Sequence, residues 1–125
     1  MILHPQEVLD QLNYGKYHIN WSMFMSENDF LWLLKWYQNH CNGDWEHGSG
    51  IHIGTLDNPG WSITINLENT ALEDKKFQEI EIERSENNWL FCFIKNNKFE
   101  GRCGTINLPE VLQIFHEWAE NCQKE

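Results

Sequence analysis

The sequence predicts an α+β domain: a mainly antiparallel sheet of about five strands with helices packed on it, N-terminal helices ahead of the sheet and one C-terminal helix behind it. Three observations lead there. Helical apolar spacing occurs before residue 41 and again after residue 107, five short runs between them favour strands, and strong turn signals separate several of those runs. Hairpin-length connections make neighbouring strands antiparallel. With 125 residues the chain fits a single domain, 1–125, large enough to bury a core without staples.

A first helix is expected near Pro5, with Val8, Leu9 and Leu12 on one face and Gly15 as terminator. An irregular aromatic run with Tyr17, Trp21 and Phe24 follows. A second start at Met25 to Asp29 divides residues 1–25, an N-terminal extension, from a core at 26–125. Ser26, Asn28 and Asp29 are the candidate N-caps of a helix ending near His40. At about 100° per residue, Phe30, Leu33, Leu34, Tyr37 and Cys41 share a face, taken as the core face. Trp32 and Trp36 then point the other way, either under the N-terminal aromatics or into a dimer or partner surface.

Ile51, Ile53 and Thr55 alternate in a first strand, and Trp61, Ile63, Ile65 and Leu67 in a second. The turn between them is Asp57 to Gly60 (DNPG). Residues 68–78 form a polar, acidic connection. The third strand, 79–84, sends Ile80 and Ile82 one way and Glu79, Glu81 and Glu83 the other. The fourth, Trp89 to Ile94, is apolar on both faces, which predicts a central strand covered on both sides. Asn96 and Asn97 suit a two-residue turn into a fifth strand, Phe99 to Cys103, weakened by Gly101. The last helix opens on Asn107 with Glu110 three residues on, a box-like cap, and carries Leu108, Val111, Leu112, Phe115, Trp118, Ala119 and Cys122 on one stripe.

The net charge of −10 disfavours direct contact with nucleic acid or anionic membranes and suits a basic protein partner; good solvation accounts for it equally well. No apolar run has the length of a membrane span, and no signal peptide is expected. The four cysteines, Cys41, Cys92, Cys103 and Cys122, are widely spaced and read as reduced residues of a cytoplasmic protein. Seven tryptophans in so short a chain favour both a core and a binding surface.

The densest reactive cluster is Asp44, Glu46 and His47, with His40, Cys41 and His52 nearby. Its spacing matches no standard zinc pattern, so no metal, cofactor or catalytic residue is assigned. Two readings stay side by side there: a small metal-dependent or thiol enzyme, and a structured loop in which Asp44 or Glu46 accepts backbone N–H groups while Trp45 fills a core gap. Cys41 sits near a helix C-terminus, where the dipole disfavours a thiolate. Glu79, Glu81 and Glu83 lie roughly 6.5–7 Å apart, suited to a basic cleft or to plain solvation.

Five segments carry a resemblance: Trp32 to Tyr37 (WLLKWY), Cys41 to His47 (CNGDWEH), Thr55 to Trp61 (TLDNPGW), Leu67 to Phe77 (LENTALEDKKF) and Phe115 to Ala119 (FHEWA). Between Phe30 and Ala119 the chain resembles the immunity protein 53 family of bacterial polymorphic toxin systems. The Trp45–Glu46 and Gly60–Trp61 dipeptides match hallmarks of that family. The resemblance implies a cytoplasmic antidote, not an enzyme, that binds a cognate toxin protein; the acidic charge suits a basic target such as a nuclease, and a monomer or weak homodimer is expected. Asp44, Trp45, Glu46, Asp57, Trp61, Glu79, Glu81 and Glu83 are the expected toxin contacts.

Overall fold

The structure, a computed structural model, describes residues 28–48 and 50–123. The helix and aromatic run expected within residues 1–25 lie outside the described residues. Asn28 caps the first described helix, α1 (Asp29–His40): its backbone is extended and its Oδ1 accepts the Leu31 N–H at 3.0 Å. Asp29 in the first turn complements the helix dipole. A four-residue helical turn, α2 (Trp45–Gly48), follows.

Five strands come next: β1 (Ile51–Leu56), β2 (Gly60–Asn66), β3 (Ile80–Ser85), β4 (Asn88–Lys95) and β5 (Lys98–Cys103). All pairings are antiparallel and the spatial order is β1-β2-β5-β4-β3. The β3–β4–β5 meander therefore closes onto β2, leaving β1 and β3 as edges. Asn96 and Asn97 both take positive φ, 54° and 57°, as the two-residue turn between β4 and β5 requires. Residues 67–79 carry the chain from β2 across to β3. They are anchored on that turn, where Leu67 N–H reaches Asn97 O at 2.8 Å and Asp74 N–H reaches Asn97 Oδ1 at 3.0 Å.

The register sorts side chains onto two faces. One face carries Ile63 and Ile65 of β2, Phe99, Gly101 and Cys103 of β5, Leu90 and Cys92 of β4, and Ile80 and Ile82 of β3. The central strands of this face are buried, and α3 (Leu108–Gln123) packs on it through Val111, Phe115 and Ala119. Gly101 permits that approach: a Cβ there would lie 2.5 Å from Val111 Cγ1 and 2.9 Å from Ile63 Cγ2. The glycine expected to weaken β5 is thus what lets the helix sit down on the sheet.

Three expectations are corrected. The core face of α1 is turned: Leu33 is buried as expected, but beside it lie Trp36, which is 6% exposed and meets Phe115 edge-on at 5.4 Å, and Trp32, which stacks on His116 at 4.1 Å. Phe30 and Leu34, by contrast, are 50% and 48% exposed. Both indoles pack against α3 side chains, and their large area outweighs that of Phe30 and Leu34 in the burial term. Second, β4 is not the central strand. Leu90 and Cys92 are buried, but Phe91 and Phe93 on the opposite face are only half-buried. Third, Asn107 does not cap its helix with its side chain. Its Oδ1 accepts the Trp89 N–H at 3.1 Å, and its Nδ2 donates to Asn88 Oδ1 and Glu110 Oε1. The side chain ties α3 to the start of β4.

Candidate functional site: the Asp44 loop, the acidic edge and the open sheet face

The loop before α2 is built by reciprocal hydrogen bonds. Asn42 Oδ1 accepts the N–H groups of Asp44 and Trp45 at 2.9 and 3.1 Å. Glu46 reaches back, taking Asn42 N–H at 2.9 Å and Gly43 N–H at 2.8 Å. Backbone donors, its own N–H first and then those of Asn42 and Gly43, hold the Glu46 carboxyl below its ordinary pKa. Trp45 is buried, with Nε1 donating to Asn66 O at 3.3 Å. Asp44 is left exposed at the tip. This is the structured-loop arrangement. His40 is engaged as well: Nδ1 lies 2.7 Å from Trp36 O and its ring lies against Trp36. Among the described residues, no three His, Cys, Asp or Glu side chains converge as a metal cage would require.

Asp57 sits in the β1–β2 turn, at the opposite end of that hairpin from the Asp44 loop. Trp61 is the second residue of β2, half-buried, and its Nε1 donates to Thr105 O at 3.2 Å. Glu79 precedes β3; Glu81 and Glu83 lie on it, exposed at the sheet's edge. The structure thus spreads the eight sequence-derived contacts over three places: the Asp44 loop, the Asp57–Trp61 turn and the β3 edge. Two of these places approach each other. Asn58, next to Asp57, lines a groove of about 510 Å³ together with Glu83, Arg84, Ser85, Glu86 and Trp89. Arg84 is held there by a bidentate pair with Glu110, at 2.7 and 2.9 Å, which lowers the Glu110 pKa and raises that of Arg84.

The sheet face turned away from α1 and α3 completes the surface. Along β4 it carries Trp89, Phe91 and Phe93, with Glu83 opposite Trp89 and Glu81 opposite Phe91. From β5 it carries Lys98, Glu100 and Arg102, and from β2 Ser62 and Thr64. All of these side chains are exposed or half-buried. The sequence signal for the three aromatics was present, since β4 is apolar on both faces. Alternation alone reads such a strand as covered twice and so hides an aromatic surface.

Burial pushes the thiols of Cys92 and Cys103 up, to about 12 and about 11, which leaves them unreactive core residues. Among the described residues no helix is long and apolar enough to cross a membrane. No curated protein and no solved structure matches the chain. The family model described as Immunity protein 53 matches residues 30–120, from the first turn of α1 nearly to the end of α3, and the chain belongs to that family.

Proposed function

We propose that this protein neutralises a cognate bacterial toxin by binding it stoichiometrically in the cytoplasm, as the antidote half of a polymorphic toxin system, with nothing turned over. The observation that carries this reading is family membership across residues 30–120, which include every described strand and all but the ends of the long helices. The surface supports it. Asp44, Asp57, Glu79, Glu81 and Glu83 are all exposed on short, well-anchored segments of a chain with net charge −10. Such a surface steers a basic partner, for instance a nuclease, and raises its association rate. Trp45, Glu46 and Trp61 belong to the contact regions as the residues whose hydrogen bonds shape the Asp44 loop and the start of β2. The working unit in this reading is a monomer or weak homodimer carrying one toxin per chain.

The test is survival of cells expressing the toxin domain encoded beside this gene, with and without the protein. Rescue together with a one-to-one complex on co-purification is the expected result. A harmless neighbour, or rescue with no complex formed, would remove the reading.

A further inference from the structure

The sheet face opposite the helices combines two chemistries that recognise the same kind of group. Phe91 and Phe93 expose adjacent rings with centroids 4.8 Å apart, and Trp89 continues the row along β4. On one side of this row, Glu81 and Glu83 stand directly opposite Phe91 and Trp89 across the β3–β4 pairing, on the same face of the sheet. On the other side the protein has already placed a cation: Arg102 Cζ lies 5.2 Å from the Phe93 ring centroid. That guanidinium is also 3.8 Å from Glu100, which accepts the Thr64 hydroxyl at 2.8 Å. The Arg102–Phe93 pair is an internal example of what the row can bind, because a ring face attracts a cation through its quadrupole. Glu81 and Glu83 form no ion pair among the described residues, and both side chains are exposed beside Phe91 and Trp89.

The face is also polarised. Glu83 and Glu86 line the groove beside Trp89, with Glu81 next along the β3 edge, whereas Lys95 and Lys98 pair across the other end, beside the Asn96–Asn97 turn. A phosphate backbone would be repelled from the acidic half, and a purely apolar partner would leave the carboxylates desolvated and unpaired.

We propose that the Trp89–Phe91–Phe93 row with Glu81 and Glu83 is the docking surface for a basic protein, whose arginine or lysine side chains lie over the rings and pair with the two carboxylates. Identifying that protein with the toxin rests on the immunity reading above; the surface itself rests on ring geometry and charge complementarity.

Two arms test it on the full chain. In the first, nona-arginine is titrated into the protein and amide chemical shifts are followed. The expected response centres on residues 81–83, 89–93 and 100–102, weakens with salt, and is largely lost in Glu81→Gln/Glu83→Gln. A response centred on the Asp44 loop or on residues 68–78, or one equal in that variant, overturns the proposal. In the second, binding of the neighbouring gene's toxin domain is compared across variants. Phe91→Ala/Phe93→Ala should weaken binding by at least about tenfold at any salt, since buried aromatic anchors dominate protein interfaces. Glu81→Gln/Glu83→Gln, nearly isosteric and exposed, should slow association severalfold at low salt and little at high salt, and Glu73→Gln should change nothing. Toxin binding by wild type that is unchanged in both double variants overturns the surface while leaving the immunity function intact. Absence of toxin binding by wild type removes the immunity function, and the arginine titration still decides the surface.

Discussion

Asn107 and Trp89 are joined by a hydrogen bond from the Trp89 backbone N–H to the Asn107 side-chain oxygen, 3.1 Å long, which fastens the first turn of α3 to the first residues of β4. Asn107 is 3% exposed, and its amide nitrogen serves Asn88 and Glu110 at 2.8 and 3.1 Å. Removing the amide leaves the Trp89 donor unsatisfied. Asn107→Ala should therefore cost about 1–3 kcal/mol, read as a lower urea midpoint with an unchanged slope. Asn107→Asp should recover part of the loss, because it keeps the acceptor. A stability equal to wild type in the alanine variant would show that water replaces the bond.

Trp36 and Phe30, on opposite faces of α1, should respond very differently to truncation. Trp36 is enclosed by Phe115, Trp45 and Trp32, whereas Phe30 is half exposed. Trp36→Ala should destabilise by about 3–5 kcal/mol, as for other buried aromatics. Phe30→Ala should stay within about 0.5 kcal/mol, as at most surface positions. Thermal melts of the two variants, with the reverse ranking as the contrary result, check which face of α1 is inside.

Gly101→Ala should destabilise although alanine suits a strand no worse than glycine. The added methyl meets Val111 Cγ1 and Ile63 Cγ2 inside ordinary contact distance, an overpacking cost of about 1–3 kcal/mol. Val111→Ala in the same chain should relieve part of it, so the two losses should sum to less than additive. Strict additivity in denaturant unfolding would place the strain elsewhere.

Thiol chemistry should divide the cysteines. With Cys92 raised to about 12 and Cys103 to about 11, neither carries appreciable thiolate at pH 8, and both are buried. A disulfide-exchange reagent should label exposed Cys41 within minutes and reach Cys92 and Cys103 only on unfolding. Mass spectrometry of briefly labelled protein decides this, and early modification of Cys92 would contradict it.

The Arg84–Glu110 pair gives a pH dependence of known sign. Arg84 first, then the Asn107 amide, lower the Glu110 pKa below its ordinary 4.5 in the folded protein. A lowered carboxyl pKa adds stability that is fully present above 4.5 and lost as pH falls through the folded value. Both side chains are partly exposed, so solvent screening keeps the contribution small. Glu110→Gln should flatten the acid limb of the stability curve below pH 4.5 relative to wild type, and an identical limb would assign the acid sensitivity to other carboxylates such as Glu46.

Local features of this protein were written plainly in its residues. The strands were legible because alternation is a property of a few neighbouring positions, and the Asn96–Asn97 turn because asparagine tolerates positive φ. The capped helix at Asn28 and the structured Asp44 loop were legible for the same reason: their partners lie within four residues. Three matters depended on partners far along the chain. Which aromatic stripe of α1 turns inward was set by Phe115 and His116 of α3, since either face is apolar enough when viewed alone. The place of β5 at the centre of the sheet came from its pairing with β2, more than thirty residues earlier. Whether the second apolar face of β4 was covered depended on where the helices lie, and α1 and α3 pack on the opposite face. Periodicity tells which side chains share a face; only long-range packing assigns that face to the core or to a partner.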